Sequence, residues 1–143
     1  MKIWIDILTP KQLLFAEPII EKLSKKHRIL CTSRSYEEVS NLAKIRKFSL
    51  IYVGKHGGIE RSKKLKASNL RVKKLIPIIE KFEPELTISF CSPEAARISF
   101  GLGIRHITFC DSTHAEAVMR LTVPLIQKLL IPWVIPKKEF TKY

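Results

Sequence analysis

The amino-acid sequence predicts an α/β protein: a single domain over residues 1–143, built on a mostly parallel sheet of about six strands with helices on both faces. Three observations predict it. Apolar, β-prone runs alternate with stretches of helical spacing along the chain. The runs are nearly continuous in apolar residues, as strands buried on both faces require. Ser or Thr followed by Pro, Glu or Gln stands where a strand gives way to a helix.

Lys2 to Leu8 forms the first strand, and Thr9-Pro10-Lys11-Gln12 opens a helix with an N-cap, a proline at the first helical position and Gln at the capping-box position. Leu13, Leu14, Ala16, Ile19, Ile20 and Leu23 form its expected buried stripe, with Pro18 as an expected kink. Arg28 to Thr32 is the second strand. Ser35-Tyr36-Glu37-Glu38 reads as a capping box before a helix that buries Val39, Leu42, Ala43 and Ile45. Ser49 to Val53 is the third strand, followed by Gly54-Lys55-His56-Gly57-Gly58, whose glycines permit positive φ and close backbone approach. From Arg61 to Phe82 the spacing of Leu65, Val72, Leu75, Ile76 and Ile79 is helical, with Pro77 inside it and Glu83-Pro84 as the stop.

Leu86 to Phe90 is the fourth strand. Ser92 then caps a helix with Pro93 at its first position and Glu94 in its first turn, and Gly101 and Gly103 end it. Arg105 to Cys110 is the fifth strand, and Thr113-His114-Ala115-Glu116 reads as another capping box before a helix that buries Ala117, Met119 and Leu121. Pro124 interrupts that helix, and Leu129 to Val134 is a sixth, proline-broken strand. Right-handed crossovers make the Rossmann-like order 3-2-1-4-5-6 the expected topology of this three-layer sandwich. The turns Thr9 to Gln12 and Cys91 to Glu94 then face each other across the topological switch point.

Composition narrows the function classes. Twenty-six Lys and Arg against thirteen Asp and Glu give a net charge of +13, which favours anionic partners: nucleic acid, phosphorylated metabolites or an acidic lipid surface. The seven basic residues between Arg61 and Leu75 scatter around their helix, which predicts a solvated surface rather than a dedicated nucleic-acid stripe. No apolar run reaches the roughly 18 residues of a membrane span. Cys31, Cys91 and Cys110 lie at the ends of apolar runs without C-x-x-C or other metal-ligand spacing, so reduced core thiols and a cytoplasmic location are expected, and no metal.

Helix starts at Thr9, Ser35, Ser92 and Thr113 would lie along one carboxyl edge of the sheet, each with free N–H groups suited to an anion. Lys11, Arg34, Lys55 and His56 add charge to that edge, Gly57 and Gly58 a permissive loop, and Glu94 and Ser112 further polar groups. Ordinary helix capping explains each turn equally well. Asp111, His114 and Glu116 form the clustered acid/base set and are the candidate catalytic residues. Thr9-Pro10-Lys11 stands where a dinucleotide site needs G-x-G-x-x-G, and no P-loop is present, so no cofactor is expected. Ser92 with His114 lacks the G-x-S-x-G elbow of a hydrolase.

Taken together, Met1 to Gln12, Thr32-Ser33-Arg34, Lys55-His56-Gly57-Gly58, Ser92-Pro93-Glu94-Ala95-Ala96-Arg97, Phe100 to Ile104 and Asp111-Ser112-Thr113-His114-Ala115-Glu116-Ala117 resemble domain of unknown function 354, a mainly archaeal family. Its members look like GT-B glycosyltransferases and UDP-N-acetylglucosamine 2-epimerases. The resemblance implies a protein of two Rossmann-like halves, of which this chain matches the N-terminal, acceptor-side one. It implies a nucleotide sugar or a phosphorylated or sugar acceptor as ligand and a separate C-terminal half as partner, and the face that a lone half leaves uncovered makes a second copy the other expected partner. The string His114 to Arg120 is similar to a histidine, glutamate and arginine string of the epimerases and makes Glu116 a candidate there. A non-enzymatic assembly module and a nucleic-acid-binding protein are the alternative expectations.

Overall fold

A computed structural model describes residues 1–143. Its elements are β1 (Lys2–Ile7), α1 (Pro10–Ser24), β2 (Arg28–Ser35), α2 (Glu37–Ile45), β3 (Ile51–Lys55), α3 (Arg61–Phe82), β4 (Leu86–Ser89), α4 (Pro93–Gly101), β5 (Arg105–Phe109), α5 (Glu116–Thr122) and β6 (Lys128–Leu130). The six strands form one sheet in the order β3-β2-β1-β4-β5-β6, parallel at every pairing. The expected topology is therefore the observed one. No helix is long and apolar enough to cross a membrane.

Alternation along β1 divides the core. Ile3, Ile5 and Ile7 pack with Leu13, Ala16, Ile20 and Ala43 against α1 and α2. Trp4 packs on the other face with Val53, Leu75, Ile79, Ala95 and Ile98, against α3 and α4. A third cluster of Cys91, Cys110, Met119 and Phe140 closes the β5 side.

Several local expectations are corrected. Ser35 does not cap α2: it stays in β2, paired with Lys55 beyond a register shift, so Tyr36 precedes the helix without a side-chain cap. Thr113 does not cap α5, which starts at Glu116 after Ala115. The Cys110 Sγ donates to Ser112 O and His114 N to Ser112 Oγ, and these local bonds hold the segment as a loop before the helix can begin. Leu14, Ile45, Leu65, Ala117 and Leu121 are exposed rather than buried. For Leu65 the reason is length: a helix of 22 residues spans about 33 Å, about twice the span of the five-residue β3, so its first turns overhang the sheet. The sixth strand shrinks to Lys128–Leu130.

Candidate functional site

The site starts from a buried carboxylate. Asp6 is 1% exposed in the apolar strand β1, and an ion there needs a counter-charge and hydrogen bonds on its remaining lone pairs. Arg71 of α3 supplies the first, with Nη2 2.6 Å from Oδ1 and Nη1 3.1 Å from Oδ2, a bidentate pair. Thr32 of β2 donates to Oδ1 at 2.6 Å, and Trp4 Nε1 donates in turn to Thr32 Oγ1 at 2.8 Å. Ser92 Oγ donates to Oδ2 at 2.7 Å while accepting from Ala95 N as the N-cap of α4. Arg71 Nε bonds Val53 O at 3.0 Å, and Arg71 Nη1 stands 3.7 Å from Glu94. One carboxylate thus ties β1, β2, α3 and α4 together under the carboxyl edge of the sheet. Burial pushes Asp6 toward its neutral form, but the adjacent guanidinium and the two hydroxyl donors more than offset this and hold it below the usual carboxylate range.

Above this floor lies a cleft of about 350 Å³ at the switch point. Thr9, Lys11, Arg34, Glu94, Asp111 and Ser112, all expected site residues, line it. The turns after β1 and β4 do face each other: Gln12 Nε2 donates to Phe90 O at 3.3 Å, and Lys11 Nζ lies 5.2 Å from the Phe90 ring centre. Thr9 Oγ1 accepts from Gln12 N, so the first turn of α1 is capped as the sequence implies. Across the switch point Lys11 Nζ pairs with Asp111 Oδ2 at 2.7 Å.

Arg34 is half-buried on the cleft wall, and its guanidinium makes no hydrogen bond or ion pair. Burial lowers its pKa, the Glu94 carboxylate partly restores it, and the nearby Arg71 adds to the lowering. A recess of about 210 Å³ beside the cleft is shared by Thr9, Arg34, Tyr36 and His56.

The remaining expected residues sit elsewhere. Ser92 is fully buried in the floor and spends its hydroxyl on Asp6 and the α4 cap. Lys55 and Gly58 are exposed outside the cleft, and Gly58 N donates to His56 Nδ1. Gly57 packs on the start of α3, where a Cβ would come within 2.6 Å of Lys63 O, so its glycine is a packing requirement. His114 and Glu116 are exposed and outside the cleft lining, with Glu116 paired to Arg120 at 2.8 Å one helical turn on. Of the acid/base set, only Asp111 reaches the cleft.

Sequence reasoning missed Asp6 and Arg71, and placed Arg71 on a solvated surface. Two signals were present. Asp6 interrupts Ile-Trp-Ile-Asp-Ile, a core strand, and Arg71 shares the i, i+4, i+8 stripe of Leu75 and Ile79. Cys91 was also missed as a special position: with φ of 49° it adopts the left-handed region at the cleft, strain that its amide offsets by donating to Thr108 Oγ1 at 2.7 Å.

Comparison with known proteins agrees with this architecture. An uncharacterized protein of Methanocaldococcus jannaschii is 31% identical over 144 residues, covering 100% of this chain and 42% of the relative. The UDP-GlcNAc 2-epimerase of Neisseria meningitidis, solved bound to UDP-GlcNAc, superimposes with a TM-score of 0.76 at 17% identity, over 99% of this chain and 43% of that one. MurG of Acinetobacter baumannii superimposes with a TM-score of 0.73 at 9% identity, over 94% and 42%. At these identities the solved structures establish the fold, that of one half of a GT-B protein, and the chain spans less than half the length of each of these three relatives. The model of a protein family of unknown function, DUF354, matches residues 1–143, and the chain belongs to that family.

Proposed function

We propose that this chain is the acceptor-side half of a GT-B-like nucleotide-sugar enzyme, carrying out glycosyl transfer or sugar epimerisation together with a second Rossmann-like half. The observation that carries the reading is Arg34: a half-buried, unpaired guanidinium on the wall of a cleft at the switch point, facing the capped starts of α1 and α4. A desolvated cation of this kind is suited to a phosphate or carboxylate, which it can hold with two parallel hydrogen bonds. Lys11 and the first-turn N–H groups of α1 add to the same field. Asp111, held by Lys11 at the rim, is the group placed to accept a proton from a sugar hydroxyl.

Isothermal titration with UDP-GlcNAc is the test, performed on this chain and on its mixture with the C-terminal portion of a family member. Binding is expected in at least the mixture, and Arg34→Ala is expected to weaken it about tenfold to a hundredfold, the loss of one charge-assisted contact of roughly 1.5–3 kcal/mol. Absence of binding in both samples overturns the proposal, and binding indifferent to Arg34→Ala overturns the role of Arg34.

A second reading, an assembly module that pairs with itself, draws on Trp133 and Val134, which are 96% and 69% exposed after β6. It predicts a dimer in sedimentation equilibrium that Trp133→Ser returns to monomer. A strict monomer at all concentrations removes it.

A further inference from the structure

We propose that Cys91 and Cys110 form a reactive thiol pair in the cleft, a modification site at which a peroxide joins the ends of β4 and β5 by a disulfide.

Register brings the two together. Ser89 is paired with Thr108 on the adjacent parallel strand, so Cys91 and Cys110 stand at the same step beyond the last rung. Neighbouring strands lie about 4.8 Å apart where they pair, and one step beyond the last rung the Phe90 and Phe109 rings still stack at 6.3 Å, so the two chains leave the sheet side by side, as a disulfide between them requires. The left-handed backbone at Cys91 turns the chain at this point, and Cys91 and Cys110 share one packed cluster. Both residues are buried, 9% and 5% exposed, but they line the cleft, so a small oxidant approaches them from it. The surroundings divide their roles. The Cys91 S–H favours a thiolate on Cys110 against burial, with the Lys11 charge assisting and the Asp111 charge opposing, and the same contact pushes Cys91 up. Met119 Sδ, 3.5 Å from Cys110 Sγ, keeps that side apolar. Cys31 is the built-in contrast. It is as buried as the pair but lies in the other core cluster, away from the cleft, and burial pushes its thiol up to about 12.

The chemistry balances with hydrogen peroxide as the named oxidant. The Cys110 thiolate attacks one peroxide oxygen, the O–O bond breaks, and the departing hydroxide takes a proton to leave as water. The sulfenic acid on Cys110 is then attacked by the Cys91 sulfur; the S–S bond forms, the S–O bond breaks, and hydroxide leaves as water with the Cys91 proton. Two thiols and one peroxide give one disulfide and two waters. The proposal is independent of the sugar-enzyme reading, since it concerns only the reactivity of the pair.

The test exposes the folded chain to a small excess of hydrogen peroxide, removes the peroxide, unfolds the chain in denaturant to block remaining thiols with N-ethylmaleimide, and maps peptides without reduction. The expected product has lost two hydrogens, carries a Cys91–Cys110 link, leaves Cys31 as the one alkylatable thiol of the three free cysteines, and reverts with dithiothreitol. Cys91→Ser is expected to stop at a dimedone-trappable sulfenic acid on Cys110. Cys110→Ser is expected to slow oxidation of the protein at least tenfold. The wild-type map decides even where a variant folds poorly. Three alkylatable thiols after treatment, a link between molecules, or Cys31 oxidised as fast as Cys110 would each overturn the proposal.

Discussion

Asp6→Asn is expected to destabilise the protein by about 3–5 kcal/mol, measured as a shift of the urea midpoint at unchanged slope. The substitution leaves the Arg71 guanidinium, 1% exposed, with only the more distant Glu94 carboxylate, 3.7 Å away, as counter-charge. It also presents an amide N–H₂ to one of the hydroxyls that now donate to the carboxylate, Thr32 or Ser92. Adding Arg71→Met to Asp6→Asn is expected to recover part of the loss, because it removes the poorly compensated buried charge while keeping an apolar stem between α3 and the sheet. A loss below about 1 kcal/mol for Asp6→Asn would mean that the ion pair does not stabilise the native state. The pH dependence follows from the direction of the Asp6 shift. The native carboxyl is held below its unfolded value of 3.8, so its stabilisation is fully present above that value and is lost only as pH falls through the lower native pKa.

Acid sensitivity nearer neutrality is expected from His106. This residue of β5 is fully buried, with Nε2 2.8 Å from Ser89 Oγ and Nδ1 without a partner. Burial lowers its pKa from 6.5 to about 4, and the Asp6 charge offsets only part of that. Between these values the unfolded chain binds a proton that the native protein does not, so stability falls as pH drops from about 6.5 to 4. At about 1.4 kcal/mol per unit the total is roughly 3 kcal/mol, and His106→Gln is expected to flatten that segment of the stability curve while leaving the steeper loss below pH 4. A wild-type curve already flat from pH 7 to 4.5 would contradict the buried neutral imidazole.

The fold was legible because its signals are local and repeated. Strand and helix types follow from the runs and their periods, and the order of strands follows from the handedness of crossovers once every connection is a βα unit. Boundaries were less legible, since a capping-box pattern says what a helix start can use but not whether the strand before it has ended. Ser35 shows this: the pairing with Lys55 on β3, a partner set by tertiary structure, keeps it in the sheet. At the cleft, residues in turns at strand ends were found from their position alone, as with Thr9, Arg34 and Asp111. The floor was not, because its charge pair is 65 residues apart and each partner, taken singly, resembles an ordinary surface charge. Asp6 and Arg71 become conspicuous only when the apolar neighbours of each are read as the environment of a charge.

The Asp6 network also bears on the order in which the chain acquires structure. Its partners lie 26, 65 and 86 residues away at Thr32, Arg71 and Ser92. The β1–β2 pair can form while the segment beyond residue 60 is still unstructured, but at that stage Asp6 has only one of its hydroxyl partners and keeps its water. Desolvation of the carboxylate must wait for α3 and α4 to dock, so the floor of the cleft is completed with the last long-range contacts rather than with the first local ones. The cleft is in this sense a late product of folding, and any intermediate that stops at the β1–β2–β3 half-sheet has no site at all.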